Sequence, residues 1–162
     1  MTDFETALAT LDRGAVEFIV IGGVAATLHG SAFTTQDLDV VYSRSPENIR
    51  RLAAALQEHQ PYLRGAPAGL PFTWDERTIR HGLNFTLTTE FGDLDLLGEV
   101  AGGGAYEDLL PHSSEVAGFG VRFRLVNLDT LIVLKRAAGR PKDLPMIAEL
   151  QGILERRWKQ AS

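Results

Sequence analysis

Residues 19–42 read IVIGGVAATLHGSAFTTQDLDVVY, and this stretch decides the fold. The apolar run Ile19 to Ile21 is a strand that meets a Gly22-Gly23 turn. Val24 to Leu28 has the length of a short helix, Ser31 to Gln36 is a loop, and Asp37 to Tyr42 is a second strand. Successive side chains of a strand point to opposite faces, so Asp37 and Asp39 share one face while Leu38 and Val40 share the other. Two carboxylates a pleat apart among apolar neighbours are costly unless a positive charge sits between them. A hard divalent cation with oxygen ligands satisfies them. The glycine turn opens a helix, whose N-terminal amides and dipole favour a phosphate. Carboxylates for a metal beside a cradle for a phosphate point to phosphoryl-type chemistry on a nucleotide.

Upstream, Phe4, Leu8 and Leu11 fall at helical spacing over residues 4–13, and Gly14 ends that helix. Val16 to Ile21 is apolar except for Glu17, as expected of a central strand. Gly30 fits the end of the short helix. His29 then lies in its last turn, where a protonated imidazole is favoured; a structural or capping role is preferred to a catalytic one. Downstream, Ser45 as N-cap and Pro46 at the first position start a helix that runs to about His59, with Ile49, Leu52, Ala53 and Leu56 inward.

The segment from His59 to Ile79 holds Pro61, Pro67, Pro71, Gly65 and Gly69 and reads as a long irregular loop. Arg64, Trp74, Arg77 and Arg80 in or beside it offer groups to a base or phosphate, but surface decoration is the preferred reading. Leu83 to Thr89 alternates as a half-buried strand, and Asp93 to Leu97 pairs back on it across a Phe91-Gly92 turn. Residues 101–104 read as a flexible link and Tyr106 to Leu110 as a helical turn. Val121 to Val126 is another strand. Asn127 caps a helix from Leu128 to Ala138, Gly139-Arg140-Pro141 breaks it, and a last helix runs from Lys142 to about Trp158. The expected fold is α/β: a small mixed sheet of about five strands flanked by helices, one domain over residues 1–162 with its core in 16–150.

Composition narrows the classes. The 162 residues are enough for a sizeable core, and there is no cysteine, hence no disulfide framework and no thiolate metal site. This suits a reducing compartment, and a cytoplasmic location is expected. The acidic, amphipathic N-terminus is unlike a signal peptide, and no apolar run approaches the ~20 residues of a membrane span. The formal net charge of -5 argues against broad nonspecific binding to nucleic acid. Charge is uneven: 17 Asp/Glu against 7 Lys/Arg before Phe119, and 4 against 9 from there on. A nucleotide between an acidic front and a basic rear fits this, as does a solvated basic C-terminal helix.

The apolar strand, Gly22-Gly23, thirteen intervening residues and Asp37-Leu38-Asp39 together resemble the nucleotidyltransferase superfamily. His29-Gly30 followed by Thr35-Gln36-Asp37-Leu38-Asp39 resembles its small prokaryotic members, the minimal nucleotidyltransferases and the AbiEii-type toxins of toxin–antitoxin systems. In that family a third carboxylate comes from a neighbouring strand. Asp95, set among Leu94, Leu96 and Leu97, takes this place, with Asp93 on the same face as second choice. The resemblance implies Mg²⁺ on Asp37, Asp39 and Asp95, with Asp95 acting as ligand or as base. It implies an NTP as substrate, and a hydroxyl of RNA, protein or a small molecule as acceptor.

The run Asn127 to Lys135, then Arg140-Pro141-Lys142-Asp143, is similar to the C-terminal motif of the same families. There the resemblance gives Lys135 the triphosphate, with Arg140 and Lys142 as helpers, although Lys135 at the edge of an apolar helix would also snorkel to solvent. Asp143 reads as a cap of the last helix. An antitoxin partner would follow from the toxin branch. Phe33 stands where relatives often carry Arg, Gly23 where many have Ser, and Met146 where an acid is common. Phe33 and Met146 support a competing reading, a non-catalytic nucleotide-binding or protein-interaction module on the same fold.

Overall fold

A computed structural model describes residues 1–161. Helix α1 (Phe4–Arg13) leads into β1 (Phe18–Ile21), α2 (Gly22–Leu28), β2 (Asp37–Tyr42) and α3 (Pro46–Leu56). Next come β3 (Tyr62–Leu63), α4 (Glu76–His81), β4 (Phe85–Thr89) and β5 (Gly92–Leu97). The short pair β6 (Glu99–Val100) and β7 (Gly104–Ala105) precedes α5 (Tyr106–Leu109), β8 (Ser113–Gly118) and β9 (Val121–Val126). Helices α6 (Leu128–Ala138) and α7 (Leu144–Ala161) close the chain. Local chemistry sets the helix starts. Asp3 accepts from the Thr6 amide at 3.0 Å, and Ser45 from the Asn48 amide at 3.2 Å.

One mixed sheet runs β3-β4-β5-β2-β1-β9-β8, and β6 and β7 form a separate ribbon. The expected α/β class is what the chain adopts, but among the described residues the main sheet has seven strands against the expected five or so. The extra strands are β3, only two residues long, and β8, whose sequence SSEVAG lacks the alternation of a half-buried strand. Both lie at the ends of the sheet, where an apolar face is not required. Three other expectations are corrected. Residues 101–104 lie in the β6–β7 ribbon and its turn rather than in a flexible link. The segment 59–79 contains β3 and the first residues of α4. The last α-helix begins at Leu144, after a 3₁₀ turn over Pro141–Asp143.

Two central parallel strands position the site. β2 and β5 run side by side with Asp37 opposite Asp93, Leu38 opposite Leu94, Asp39 opposite Asp95 and Val40 opposite Leu96. Alternation therefore gathers all four aspartates on one face. Leu38, Val40, Leu94 and Leu96 are fully buried on the other. Register here is firmly specified, since a slip of one residue would drive the carboxylates into the core. β1 pairs antiparallel with β2 on the far side and parallel with β9, so the first half of the chain is joined to the last strand before α6. Helix α6 packs on α7 and on α2, which brings the basic C-terminal segment back over the acidic face.

Candidate metal and nucleotide site

The turn after β1 is shaped for close approach. Gly22 has φ +68, and a Cβ there would stand 2.0 Å from Asp39 Oδ2. A Cβ on Gly23 would meet Thr35 Oγ1 at 2.4 Å. Gly22 is thus required by its neighbour and by the left-handed turn, and Gly23 by its neighbour alone. The loop 31–36 is tied to α7: Ser31 Oγ donates to Glu149 Oε1 at 2.5 Å and the Ala32 amide to Glu149 Oε2 at 2.9 Å. His29 sits at the end of α2 with Nε2 2.7 Å from the Val126 carbonyl, and Arg157 lies on its other nitrogen. The structural role expected of His29 holds. Its surroundings do not favour the expected protonation: burial pushes its pKa down, the bond to the Val126 carbonyl opposes the fall and the Arg157 charge adds to it.

Asp37, Asp39 and Asp95 each present one carboxylate oxygen, and these oxygens lie within 4.8 Å of one another. Burial pushes the Asp39 carboxyl up to about 8. A hydrogen bond with Asp95 and the charges of Asp95 and Asp37 add to the rise, and Lys135 opposes it. Asp37 is also raised, by desolvation and then by the charge of Asp95, against the pull of Arg64. Carboxylates held this close, with Asp39 bearing a proton at neutral pH, are a site short of positive charge. Three hard oxygen donors from two rigid strands fit a divalent cation such as Mg²⁺ or Mn²⁺, whose arrival would displace that proton.

Eight of the residues singled out in the sequence meet at one cleft of about 560 Å³: Gly22, Gly23, Asp37, Asp39, Asp95, Lys135, Arg140 and Lys142; the second-choice Asp93 does not line it. Lys135 is buried and does not snorkel to solvent; desolvation lowers its pKa, while the charge of Asp143 opposes the fall. Asp143 is buried too and accepts from Arg140 Nε at 2.7 Å, so it anchors the basic segment rather than capping α7 from solvent. Met146 lines the same cleft, as do Gln36 and Thr34, the last with no signal in the sequence.

The surface role preferred for Arg64 is overturned. It follows β3, and its backbone amide donates to the Thr86 carbonyl at 3.0 Å. Its Nη2 donates to the Leu87 carbonyl at 2.7 Å and to Asp95 Oδ1 at 2.8 Å. Nη1 lies 3.7 Å from Asp37 Oδ2 and Nε 3.4 Å from Asp93 Oδ1, the latter without hydrogen-bond geometry. Trp74 is likewise buried, edge-on to Phe85 with ring centroids 5.5 Å apart. Four aspartates on one face call for positive charge, but nothing local in the sequence singles out Arg64 to supply it.

No family model matches the chain, and no curated protein resembles it in sequence. Among solved structures it is similar to a Thermotoga maritima protein whose assignment as a nucleotidyltransferase is itself provisional. The superposition has a TM-score of 0.50 and covers 100% of this chain and 97% of that one at 13% identity. The fold is nucleotidyltransferase-like. At that identity the likeness concerns the arrangement of the backbone, and the chemistry rests on the side chains described above. Among the described residues no helix is long and apolar enough to cross a membrane.

Proposed function

We propose that the chain is a divalent-cation-dependent nucleotidyltransferase that moves an NMP from an NTP to an acceptor hydroxyl. The observation that supports this best is the convergence of Asp37, Asp39 and Asp95 on the cleft that also holds Lys135, Arg140 and Lys142. In the proposed reaction the hydroxyl oxygen forms a bond to the α-phosphorus, the bond from that phosphorus to the bridging oxygen of the β-phosphate breaks, and pyrophosphate leaves. Asp95, from β5, takes the hydroxyl proton. Lys135 meets the β- and γ-phosphates as a desolvated ammonium, which is worth more in a buried setting than in water. Arg140 and Lys142 extend that grip outward, and the amides at Gly22 and Gly23 face the phosphates from the β1 side. Asp37, Asp39 and Asp95 hold the cation. When bound, Mg²⁺ would neutralise phosphate charge and favour ionisation of the acceptor hydroxyl.

The acceptor is a hydroxyl of RNA, protein or a small molecule, and the net acidity of the chain weighs against a long RNA held by charge alone. A toxin role with an antitoxin partner rests on the sequence resemblance. Phe33, 45% exposed beside the aspartate loop where an arginine would reach a phosphate, favours a second reading as a nucleotide-binding module without turnover. Incubation with α-labelled NTPs, Mg²⁺ and either total RNA or cell protein separates the two. Transfer of label that Asp39→Ala abolishes supports the enzyme. Metal-dependent NTP binding without transfer supports the module.

A further inference from the structure

Four aspartates share one sheet face, yet the cation cluster uses three of them. The fourth, Asp93, faces Arg64, whose guanidinium reaches over β4 and also meets Asp95 and Asp37. This arrangement is built rather than incidental. The Arg64 backbone is fixed to Thr86, the same nitrogen that bonds Asp95 also bonds the Leu87 carbonyl, and the side chain is 25% exposed. A guanidinium has a rigid fork of donors and keeps its charge at any physiological pH. It stands on the β4 side of Asp95, whereas Asp39 lies across the β2–β5 pair beside Gly22. An ion among Asp37, Asp39 and Asp95 therefore shares two of its ligands with Arg64.

We infer that Arg64 is a resident counter-cation that holds the acidic face together without metal and weakens divalent-cation binding, thereby setting the concentration at which the site fills. Two effects compete. An outer partner that orients a ligating carboxylate improves metal affinity, and its loss typically costs about 10–100-fold. A positive charge next to a doubly charged ion opposes binding, and in a partly buried setting that repulsion is poorly screened. Orientation is largely supplied already by the β2–β5 register and the Gly22 contact, so repulsion is the larger effect. The inference rests on the metal-centre part of the proposed function and does not depend on nucleotidyl transfer.

The test is Mn²⁺ binding by the intact protein, followed by calorimetry and by the loss of the free-ion electron-spin signal, with no nucleotide present. Arg64→Gln should bind Mn²⁺ at least about tenfold more tightly than wild type, because the opposing charge is gone. Its metal-free form should melt lower than wild type, and saturating Mn²⁺ should narrow the gap. Arg64→Lys keeps the charge and loses the fork, and its affinity should stay within about threefold of wild type. If Arg64→Gln binds Mn²⁺ equally or more weakly while wild type binds, Arg64 orients the ligands and the inference fails. If Arg64→Gln does not fold, Arg64→Lys decides: a loss of tenfold or more assigns Arg64 to geometry and overturns the inference. If wild type binds no Mn²⁺, the metal-centre reading fails and this inference falls with it.

Discussion

Asp39 and Asp95 stand opposite each other on adjacent parallel strands, joined by a hydrogen bond that needs a proton on one of them. Asp39 carries it, with a pKa near 8 against an ordinary 3.8. A group whose folded pKa is raised contributes stability that is complete below its unfolded pKa and is lost as pH rises through the folded value. The metal-free protein should therefore lose stability steadily between about pH 4 and pH 8, with Asp37 pulling the same way. Thermal melts in chelator should show Tm falling across that range. Asp39→Asn should flatten the slope and raise Tm at pH 9, by ~2–4 °C for each kcal/mol relieved in a chain of this size. Saturating Mg²⁺ should flatten it in wild type.

Gly22 permits that pair to sit where it does. An alanine would bring a methyl carbon to 2.0 Å from Asp39 Oδ2 at a φ of +68. Gly22→Ala should lose about 2–4 kcal/mol in urea unfolding, at the upper end for a single substitution, because the turn and the carboxylate must both move. It should also weaken Mn²⁺ binding. Gly65→Ala, at φ +80 but with open space around it, should cost less.

Lys135 separates nucleotide binding from metal binding. It is buried on α6 within the cleft, and among the described residues no carboxylate forms an ion pair with it. Lys135→Met removes a desolvated charge from an apolar helix, so the fold should be kept or slightly stabilised. NTP affinity should fall at least about tenfold through loss of a charge-assisted contact, while Mn²⁺ affinity is unchanged or improved. Calorimetry with each ligand separately reads the split.

Glu149 restrains the loop that delivers Asp37. Hydrogen bonds from Ser31 and Ala32 hold its carboxyl below the usual glutamate range, so the tie weakens as pH falls through that lowered value. Glu149→Ala should speed amide hydrogen exchange over residues 31–36, while the β8–β9 pair keeps its protection. Exchange measured by mass spectrometry at pH 7 distinguishes a local release from global unfolding.

The part of this architecture legible in the sequence is the part fixed by short-range alternation. The period of two in Asp37-Leu38-Asp39-Val40 and in Asp93-Leu94-Asp95-Leu96 places the acids on one face, and the parallel register aligns them. The capped start of α3 was equally readable from Ser45 and Pro46. Arg64 was not, because its partners are set by strand order. β3 is two residues long and lies two strands away from β5, and no local pattern announces that a side chain leaving it will cross β4 to reach Asp93 and Asp95. The burial of Trp74 is hidden for a related reason. A Pro- and Gly-rich segment reads as exposed, yet the row Tyr62, Phe72, Trp74 and Phe85 packs it against the sheet. Strand β8 is not legible because it lies at the end of the sheet and its alternation is weak.

The central claim is that Asp37, Asp39 and Asp95 bind one divalent cation. Anomalous diffraction from crystals soaked in Mn²⁺ tests it most directly. The account predicts a single strong peak among the three carboxylates, at about 2.0–2.3 Å from one oxygen of each. A peak elsewhere, or none at concentrations that saturate the protein in solution, would contradict it.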